Sequence, residues 1–521
     1  MPAVVTFEAR RSALAFWLGC MTVTAGVVLH VPMFLMGRGN GYVLAGMPMD
    51  QGMLWGMALI VGGVMLAGYG LLPTVVPKAD RVVETIAPPE DAPLTRAHWS
   101  MAGLLALALV IDIMKPASLG FVTPGMRKEY AVGKEMVAWL PLAALTGTVI
   151  GSFVWGALAD LYGRRASILL SSVMFIGTSI CGAMPSFWWN VFMCMLMGMA
   201  AGGMLPVAYA LLAEIMPTRH RGWTLVMIGG IGAVGGYFAA SSLSALLQPE
   251  YGWRIMWFLN LPTGLILIAL SPFLPESARF LQQMGRSAEA KAMLAKFGAV
   301  VQSRSAAAPA ASVPAPSGAA LDTTNQLRLT VALTFSALAW GLVNFGIMLW
   351  LPSALVAEGR SVAASSALIA QSTLIAAPVI VVSAWLYAVW STKNALLVMT
   401  GIMMAGLIGL LLRSTGADSN PIVPLSLLII GSSGVISILL PYTAESYPLR
   451  VRGRATGWVA GCSKFGGLVA QGLSLAGVVP PLGVAAMAIA VPTAAGFLFL
   501  LLFGHESRGR DLRELEIEAA A

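Results

Sequence analysis

Three ionisable side chains lie deep inside long apolar runs of this 521-residue chain: Asp112, Lys115 and Lys464. Asp112 and Lys115 are spaced i, i+3, so on a helix they share one face and can form an ion pair. Lys464 is then uncompensated, and at about 1.5 Å per residue it lies about 15 Å into its run. A buried carboxylate can carry a proton, and a net positive site favours an anion, so the trio indicates proton-coupled handling of an anionic substrate. The alternative is a structural ion pair with a lysine that reaches towards the membrane surface.

Two amides at comparable depth, Asn344 and Gln371, complete the candidate substrate- and proton-binding set. Either amide can hydrogen-bond a substrate, and either can equally bond a neighbouring helix. Asn344 lies 232 residues after Asp112, close to the offset of the internal repeat described below.

The sequence gives little support to an ATP-driven pump, an enzyme or a metal site. The chain has no phosphate-binding loop and no convincing Ser/His or paired-Asp arrangement, so neither an ATP-driven pump nor an enzyme is expected. The 30 methionines raise the possibility of a soft metal such as copper(I). Methionine is an ordinary apolar filler, however, so we expect no metal site and no cofactor.

The elements that must position these side chains are membrane helices. Hydrophobic residues make up 58% of the chain, charged residues 10%, and the mean hydropathy is +0.82. About 20 apolar residues cross a bilayer, and backbone polar groups in lipid must be satisfied within the segment, so apolar runs of this length are helices. The sequence predicts fourteen spans, at about 13–36, 52–76, 98–121, 137–159, 166–184, 188–213, 223–247, 254–274, 328–352, 362–389, 394–413, 421–444, 454–478 and 483–504.

The formal net charge of +8 does not indicate a nucleic-acid partner, because the basic residues lie in loops between apolar runs. With the N-terminus in the cytoplasm, cytoplasmic segments hold 22 Lys and Arg residues and outer loops hold 7. This asymmetry predicts that both termini are cytoplasmic. The expected partners are the lipid bilayer, protons and a small anionic substrate.

The predicted organisation has five parts. Residues 1–97 form an N-terminal extension with two transmembrane helices and a polar connection, and residues 98–274 form a six-helix bundle. Residues 275–327 form a cytoplasmic linker, polar at first and then rich in Ala, Pro and Ser, a composition typical of flexible linkers. Residues 328–504 form the second six-helix bundle, and residues 505–521 form a cytoplasmic tail.

The two bundles repeat one another. Residues Glu214 to Gly222 and Glu445 to Gly453 both read E-x-x-P-x-x-x-R-G, with an offset of 231. Glu276-Ser277 and Glu506-Ser507 match at an offset of 230. A six-plus-six duplication is typical of transporters whose substrate site lies between the halves.

The segment GALADLYGRR, from Gly156 to Arg165, resembles the loop signature of the major facilitator superfamily between its second and third helices. The duplicated motif, PESARFL after the first bundle, GWR at 252–254 and HESRGR near the end resemble its sugar-porter and aromatic-acid:proton-symporter branches. The resemblance covers about residues 98–515. It implies an all-α polytopic membrane protein with twelve core helices in two pseudo-symmetric bundles that rock in alternating access, to which residues 1–97 add two helices.

The resemblance also implies gating residues in its loop: Gly156, Asp160, Gly163, Arg164 and Arg165. Eight charged residues at the cytoplasmic ends of the helices are candidate members of a charge lattice that could bias one conformation: Glu214, Arg221, Glu276, Arg279, Glu445, Arg452, Glu506 and Arg508. The simpler interpretation is a basic turn that sets topology, together with solvated helix ends. At the mirror position of the loop the second half keeps only Lys393 and Asn394, so we expect the gate to be asymmetric.

The sequence therefore predicts a secondary active transporter of a bacterial inner membrane, which couples protons to the symport of a small organic anion or related metabolite. One alternative is a proton-coupled efflux antiporter of drugs or other small molecules. A second alternative is a membrane sensor or scaffold that does not transport.

Overall fold

The computed structural model describes residues 3–72, 93–298, 323–414, 421–447, 449–478 and 480–507. These residues form 22 α-helices, joined by short turns and two π-helical segments. The apolar runs are helical because a helix satisfies every backbone polar group without water.

The helices fall into an N-terminal extension, two halves and a linker between the halves. The extension contains α1 (Ala3–Val28), α2 (Val31–Met36) and α3 (Gln51–Leu71). The N-terminal half contains α4 (Arg96–Tyr130), α5 (Lys134–Val137), α6 (Trp139–Tyr162), α7 (Arg164–Gly177), α8 (Phe187–Ala201), α9 (Met204–Ile215), α10 (Thr218–Tyr251), α11 (Ile255–Phe258) and α12 (Asn260–Ala269). The linker contains α13 (Ala278–Gln283) and α14 (Ser287–Lys296). The C-terminal half contains α15 (Thr323–Leu342), α16 (Met348–Ala357), α17 (Val362–Ala376), α18 (Val379–Trp385), α19 (Thr392–Ser414), α20 (Ile422–Ser446), α21 (Leu449–Leu475) and α22 (Leu482–Phe503).

Within the described ranges, twelve helical segments are long and apolar enough to cross a membrane. Ten of them lie in the two halves and two in the extension. The remaining two predicted spans, 254–274 and 454–478, are also helical: α11 and α12 cover the first, and the 27-residue α21 covers most of the second. Helices therefore occur at all fourteen predicted positions.

The extension packs as a hairpin against α7 of the N-terminal half. Helices α1 and α3 approach closely along glycines, since a Cβ at Gly63 would lie 2.8 Å from the carbonyl oxygen of Gly19. Asp50 begins α3 by accepting a hydrogen bond from the Met53 amide at 2.7 Å. The hairpin thus forms a compact unit on the side of one bundle.

The two ends of the bundle are named here by one residue each. The Gly163 end carries the α6–α7 loop, Glu214, Glu276 and Glu445, and the Arg254 end carries the α10–α11 turn. Towards the Arg254 end the halves are joined by a 2.8 Å hydrogen bond between Ser244 and Ser366. The hydroxyl of Tyr237 on α10 donates to the carbonyl of Met348 on α16 at 3.0 Å.

The first part of the predicted linker is more ordered than its composition suggested. Helices α13 and α14 occupy residues 278–296, and Ser277 begins α13 by accepting a hydrogen bond from the Phe280 amide. The Ala/Pro/Ser-rich stretch that follows lies outside the described residues, as do most of the predicted tail and residues 73–92.

Candidate functional site

Helix α4 places Asp112 and Lys115 in the interior, where both side chains are buried. Pro116 follows directly and lacks an amide proton, so the carbonyl of Asp112 has no intrahelical donor four residues on. The carboxylate is almost enclosed as well, because its Oδ1 atom is buried without a hydrogen-bond partner. This turn of α4 therefore concentrates acceptor groups in the buried interior.

The ion pair expected between Asp112 and Lys115 is not formed within 4.0 Å in the described structure. The ammonium of Lys115 instead lies 2.9 Å from the centroid of the Phe175 ring on α7 and has no hydrogen-bond acceptor. A cation over a ring face gains from the ring quadrupole. The carboxylate attracts the ammonium through space without a direct contact.

Lys464 on α21 belongs to the same electrostatic cluster. Its half-buried side chain places the ammonium 4.7 Å from the centroid of the Phe345 ring. The Asp112 carboxylate attracts this ammonium too, though less strongly than that of Lys115. The structure thus brings all three predicted residues together, with two cations and one anion.

A π-helical segment, Val343–Ile347, presents Phe345 to Lys464. Such segments leave backbone groups outside the regular ladder, and here the side-chain amide of Gln471 on α21 donates to the carbonyl of Phe345. The segment also contains Asn344, which is half-buried. The membrane helix made of α15, this π-helical segment and α16 is therefore irregular beside the charged trio.

Gln371 is placed differently from the other candidates. It lies on the exposed face of α17 beside Leu374 and Ile375, both more than half exposed. The structure describes no contact that joins Gln371 to the charged trio, and its predicted role in binding stays a prediction.

At the Gly163 end, Arg164 connects three elements of the N-terminal half. Its Nη2 lies 3.2 Å from Oε1 of Glu214 on α9 and 3.8 Å from Oδ1 of Asp160 on α6. The Arg164 side chain is 10% exposed and that of Asp160 is 80% exposed, so the contact with Glu214 is the stronger of the two.

Glu276 closes the same network from the linker. Its Oε1 accepts the backbone amides of Arg164 at 2.8 Å, Arg165 at 3.3 Å and Ser277 at 2.9 Å. A carboxylate at the first turn of α7 is favoured by the helix dipole. Burial nevertheless raises the pKa of Glu276 above its ordinary value, and the three backbone amides oppose this shift. Gly163 is required beside it, because φ is +100° and a Cβ would lie 2.5 Å from Oε2 of Glu276.

The duplicated motif has the same geometry in the C-terminal half. Oε1 of Glu506 accepts the Thr392 amide at 3.0 Å at the start of α19, as Glu276 does for α7. The Ser507 hydroxyl donates to Glu445 at 3.3 Å, as the Ser277 hydroxyl donates to Glu214. Thr392 stands where the first half has Arg164, and its hydroxyl contacts Glu506 at 2.7 Å.

The predicted asymmetry has a structural counterpart in this replacement. Thr392 is the first residue of α19, whereas Arg164 is the first residue of α7, so an uncharged side chain replaces a charged one at the helix start. The neighbouring Lys393 donates to the carbonyl of Leu501 at 2.9 Å. The described ion pairs of Arg164, Arg254 and Arg413 each join residues of one half, and the pair of Arg286 with Glu289 lies within the linker. The described contacts around Glu276 and those around Glu506 form two similar groups, called half-lattices here, and a wider lattice that includes Arg279, Arg452 and Arg508 stays a prediction.

One described contact between the halves at this end is made by α10 and Glu445. The Arg221 side chain attracts Glu445, and a Cβ at Gly222 would lie 2.5 Å from its Oε1. Gly156 faces open space, with no atom within 4 Å of a Cβ position. The side chains of Arg279 and Arg452, and Arg508 altogether, lie outside the described residues.

With this geometry established, comparison with known proteins identifies the family. The sequence model of the Major Facilitator Superfamily matches residues 104–471. The chain belongs to the major facilitator superfamily. Its fold class and its multi-pass membrane nature follow from that membership, and the chain is a transporter of the family rather than an enzyme.

Two relatives in this superfamily are similar over most of their length. The chain is 26% identical to the niacin transporter NiaP of Acinetobacter baylyi over 395 residues, which cover 73% of this chain and 87% of NiaP. It is 27% identical to a gallate transporter of Pseudomonas putida over 443 residues, which cover 80% of this chain and 94% of that protein. The xylose transporter XylE from E. coli, solved in a partially occluded inward-open conformation, shares the fold with a TM-score of 0.63 at 15% identity, covering 80% of this chain and 100% of XylE.

Sequence reasoning missed one polar cluster, at the Arg254 end. Arg254 is fully buried, and its Nη2 lies 2.5 Å from Oε1 of Glu129. The same carboxylate oxygen accepts the backbone amides of Leu44 at 2.7 Å and Ala45 at 3.0 Å, in the loop between α2 and α3. Glu129 thus ties the N-terminal extension to the superfamily core. The GWR motif pointed to Arg254, but nothing in the sequence pointed to its partner.

Proposed function

We propose that this transporter couples protons to the uptake of an aromatic monocarboxylate across a bacterial inner membrane. The observation that carries the proposal is the interior cluster of two lysines and one aspartate, with a formal charge of +1. Each lysine of this cluster lies over a phenylalanine ring. A substrate that brings one negative charge and one flat ring matches both features.

The relatives support the substrate class. Niacin and gallate, named for two relatives of this superfamily, are aromatic rings that each bear one carboxylate. We place the substrate carboxylate at Lys464, because that ammonium is half-buried while Lys115 is enclosed. The ring then lies next to Phe345, within reach of the half-buried amide of Asn344.

Proton binding at Asp112 and substrate binding at Lys464 are coupled because the two charged groups attract each other. Burial disfavours the charge of the Asp112 carboxylate, and the attraction of Lys115 and Lys464 opposes that cost. A substrate anion at Lys464 offsets part of that attraction, so the enclosed carboxylate takes a proton more readily when substrate is bound. By linkage, a proton on Asp112 strengthens substrate binding by the same factor, which is the relation that symport requires.

The proposed orientation places the Gly163 end in the cytoplasm, as the distribution of 22 and 7 basic residues indicates. In this orientation the half-lattices around Glu276 and Glu506 lie on the cytoplasmic side. The Ser244–Ser366 and Tyr237–Met348 contacts then lie towards the outer side.

The experiment uses purified protein in liposomes that contain a pH-sensitive dye. Nicotinate or another aromatic carboxylate, a neutral sugar and a lipophilic cation are added in turn. We expect the lumen to acidify with the aromatic carboxylate. Proton movement only with the cation, out of an acid-loaded lumen, would favour the efflux antiporter. No flux with saturable binding would favour the sensor or scaffold.

Variants test the named residues. Asp112→Asn is expected to abolish proton-driven uptake while substrate counterflow survives, and Lys464→Gln is expected to weaken substrate binding. Asp50→Asn is the matched control, because it removes a carboxylate at the start of α3, in the N-terminal extension and outside this cluster. Uptake that still follows the proton gradient in Asp112→Asn would refute the assignment of the proton.

A further inference from the structure

A cavity of about 470 Å³ lies at the Gly163 end, between the N-terminal extension and the superfamily core. The extension lines it with Ser12, Phe16 and Trp17, and the core lines it with Tyr162, Arg165 and Arg286. Because six of the fifteen lining residues precede the family match at 104–471, the cavity depends on this chain's own extension.

Arg165 lines this cavity and is the cation of its wall that has no ion-pair partner among the described residues. Its Nη2 donates to the Ser271 carbonyl at 3.1 Å, and its Nε is buried without an acceptor. Within the described structure, no carboxylate oxygen lies within 4.0 Å of its guanidinium. A guanidinium that lines a cavity without a carboxylate partner can bind an anionic ligand there through charge-assisted hydrogen bonds.

The two other charged groups of the wall are already engaged. Glu276 accepts backbone amides at the start of α7. Arg286, at the exposed rim, donates from Nε and Nη2 to Glu289, each at 2.7 Å. The positive charge available to a ligand is therefore that of Arg165.

The rest of the wall is suited to an amphiphile. Phe16 and Leu169 provide apolar surface, and Trp17 is 45% exposed on the outer face of α1. Tryptophan favours the interface between hydrocarbon and headgroups, which places the cavity at that depth. A ligand here meets a cation at its head and apolar side chains along its length.

We propose that this cavity binds an anionic phospholipid of the leaflet that faces the Gly163 end, with the headgroup phosphate on the Arg165 guanidinium. The phosphate oxygens accept from the terminal N–H groups of the guanidinium, and the glycerol and first acyl carbons lie against Trp17 and Phe16. The bound lipid joins the extension to the first turn of α7, which bears Arg164 and Arg165. The N-terminal helices thereby give the core a lipid site beside the α6–α7 loop that the core cannot build alone.

The test is native mass spectrometry of the full-length protein, delipidated in detergent and titrated with phosphatidylglycerol. We expect Arg165→Gln to weaken binding of the first lipid by about tenfold, since a lost hydrogen bond to a charged group costs about that factor. Ala13→Trp is expected to do the same by filling the cavity, because exposed Ala13 lines it and no charge changes. Arg38→Gln, an exposed arginine in the loop at the opposite end, is the matched control and should leave binding unchanged.

Two further titrations identify the source of the phosphate. Phosphatidylcholine is expected to bind at least about tenfold more weakly than phosphatidylglycerol, and glycerol phosphate is expected not to displace the lipid at equal concentration. Equal binding of the two lipids would overturn the anionic preference, and displacement by glycerol phosphate would show a site for soluble phosphate. If Arg165→Gln does not fold, Ala13→Trp decides, and wild-type affinity in that variant overturns the proposal.

Discussion

Replacing Glu129 by glutamine should destabilise the protein more than any exposed charge change does. The Glu129 side chain is 5% exposed and that of its partner Arg254 is fully buried. The carboxylate accepts five donors: the Leu44 and Ala45 amides, the Trp253 indole, and Nε and Nη2 of Arg254. Glutamine keeps one acceptor oxygen and removes the charge.

The magnitude follows from burial. Removing one member of a buried ion pair costs about 3–5 kcal/mol, because the remaining charge stays buried without compensation. Arg254 retains the carbonyls of Gly182 at 3.1 Å and Met184 at 2.8 Å, so we expect the lower part of that range. Glu358→Gln is the matched control, since its ion pair with Arg413 is 41% and 21% exposed and such pairs contribute about 0–1 kcal/mol.

The assay is reversible unfolding in mixed detergent micelles, combined with amide hydrogen exchange. Glu129→Gln should lower the free energy of unfolding by about 3 kcal/mol and speed exchange at Leu44 and Ala45, which lose their acceptor. An effect no larger than that of Glu358→Gln would refute the reasoning that burial sets the contribution of this pair. Unchanged exchange at the two amides would refute the link between extension and core.

Three further predictions concern the Gly163 end. Gly163→Ala should cost about 1–3 kcal/mol of stability in an unfolding titration, because φ is +100° there, whereas Gly156→Ala in open space should not destabilise. Burial raises the folded-state pKa of Glu276 above its ordinary value of 4.5. Between pH 4.5 and the raised pKa the folded state therefore binds more protons than the unfolded state, so the free energy of unfolding falls as the pH rises through that interval. A pH series of melting temperatures should show this decline, and Glu276→Gln should flatten it. Gly222→Ala should push Glu445 away from α10 and so move the two halves apart at this end. Spin labels on α6 and α21, one in each half, should report a longer distance, and an unchanged distance would contradict the prediction.

The sequence predicted the helices well and the polar contacts unevenly. Apolar runs of membrane length have one way to satisfy their backbone, so their positions followed from composition alone. Helix α4 was predicted to end near residue 121 but continues to Tyr130. The polar residues 127–129 looked like a loop, and the contact of Glu129 with Arg254 became visible only in three dimensions.

The candidate site shows the same limit. Asp112, Lys115 and Lys464 stood out because ionisable residues are rare in apolar runs, and the structure brings them together. Their arrangement was harder to predict, since Lys115 lies on Phe175 rather than beside Asp112. Phenylalanine is common in apolar runs, so nothing in the sequence distinguished Phe175 or Phe345 from packing residues. The π-helical segment that presents Phe345 has no sequence signature either.

The duplicated glutamates constrain how the transporter can move. Glu276 in the linker binds the start of α7 in the N-terminal half, and Glu506 in the tail binds the start of α19 in the C-terminal half. Ser277 and Ser507 bind a second glutamate of the same half, Glu214 and Glu445 respectively. Contacts inside one half keep their geometry when the halves rock as rigid bodies, so they cannot bias one state over another. Only a contact that exists in one state can do so. Among the described residues at this end, the candidate is the approach of Arg221 and Gly222 to Glu445, which joins α10 to the opposite half.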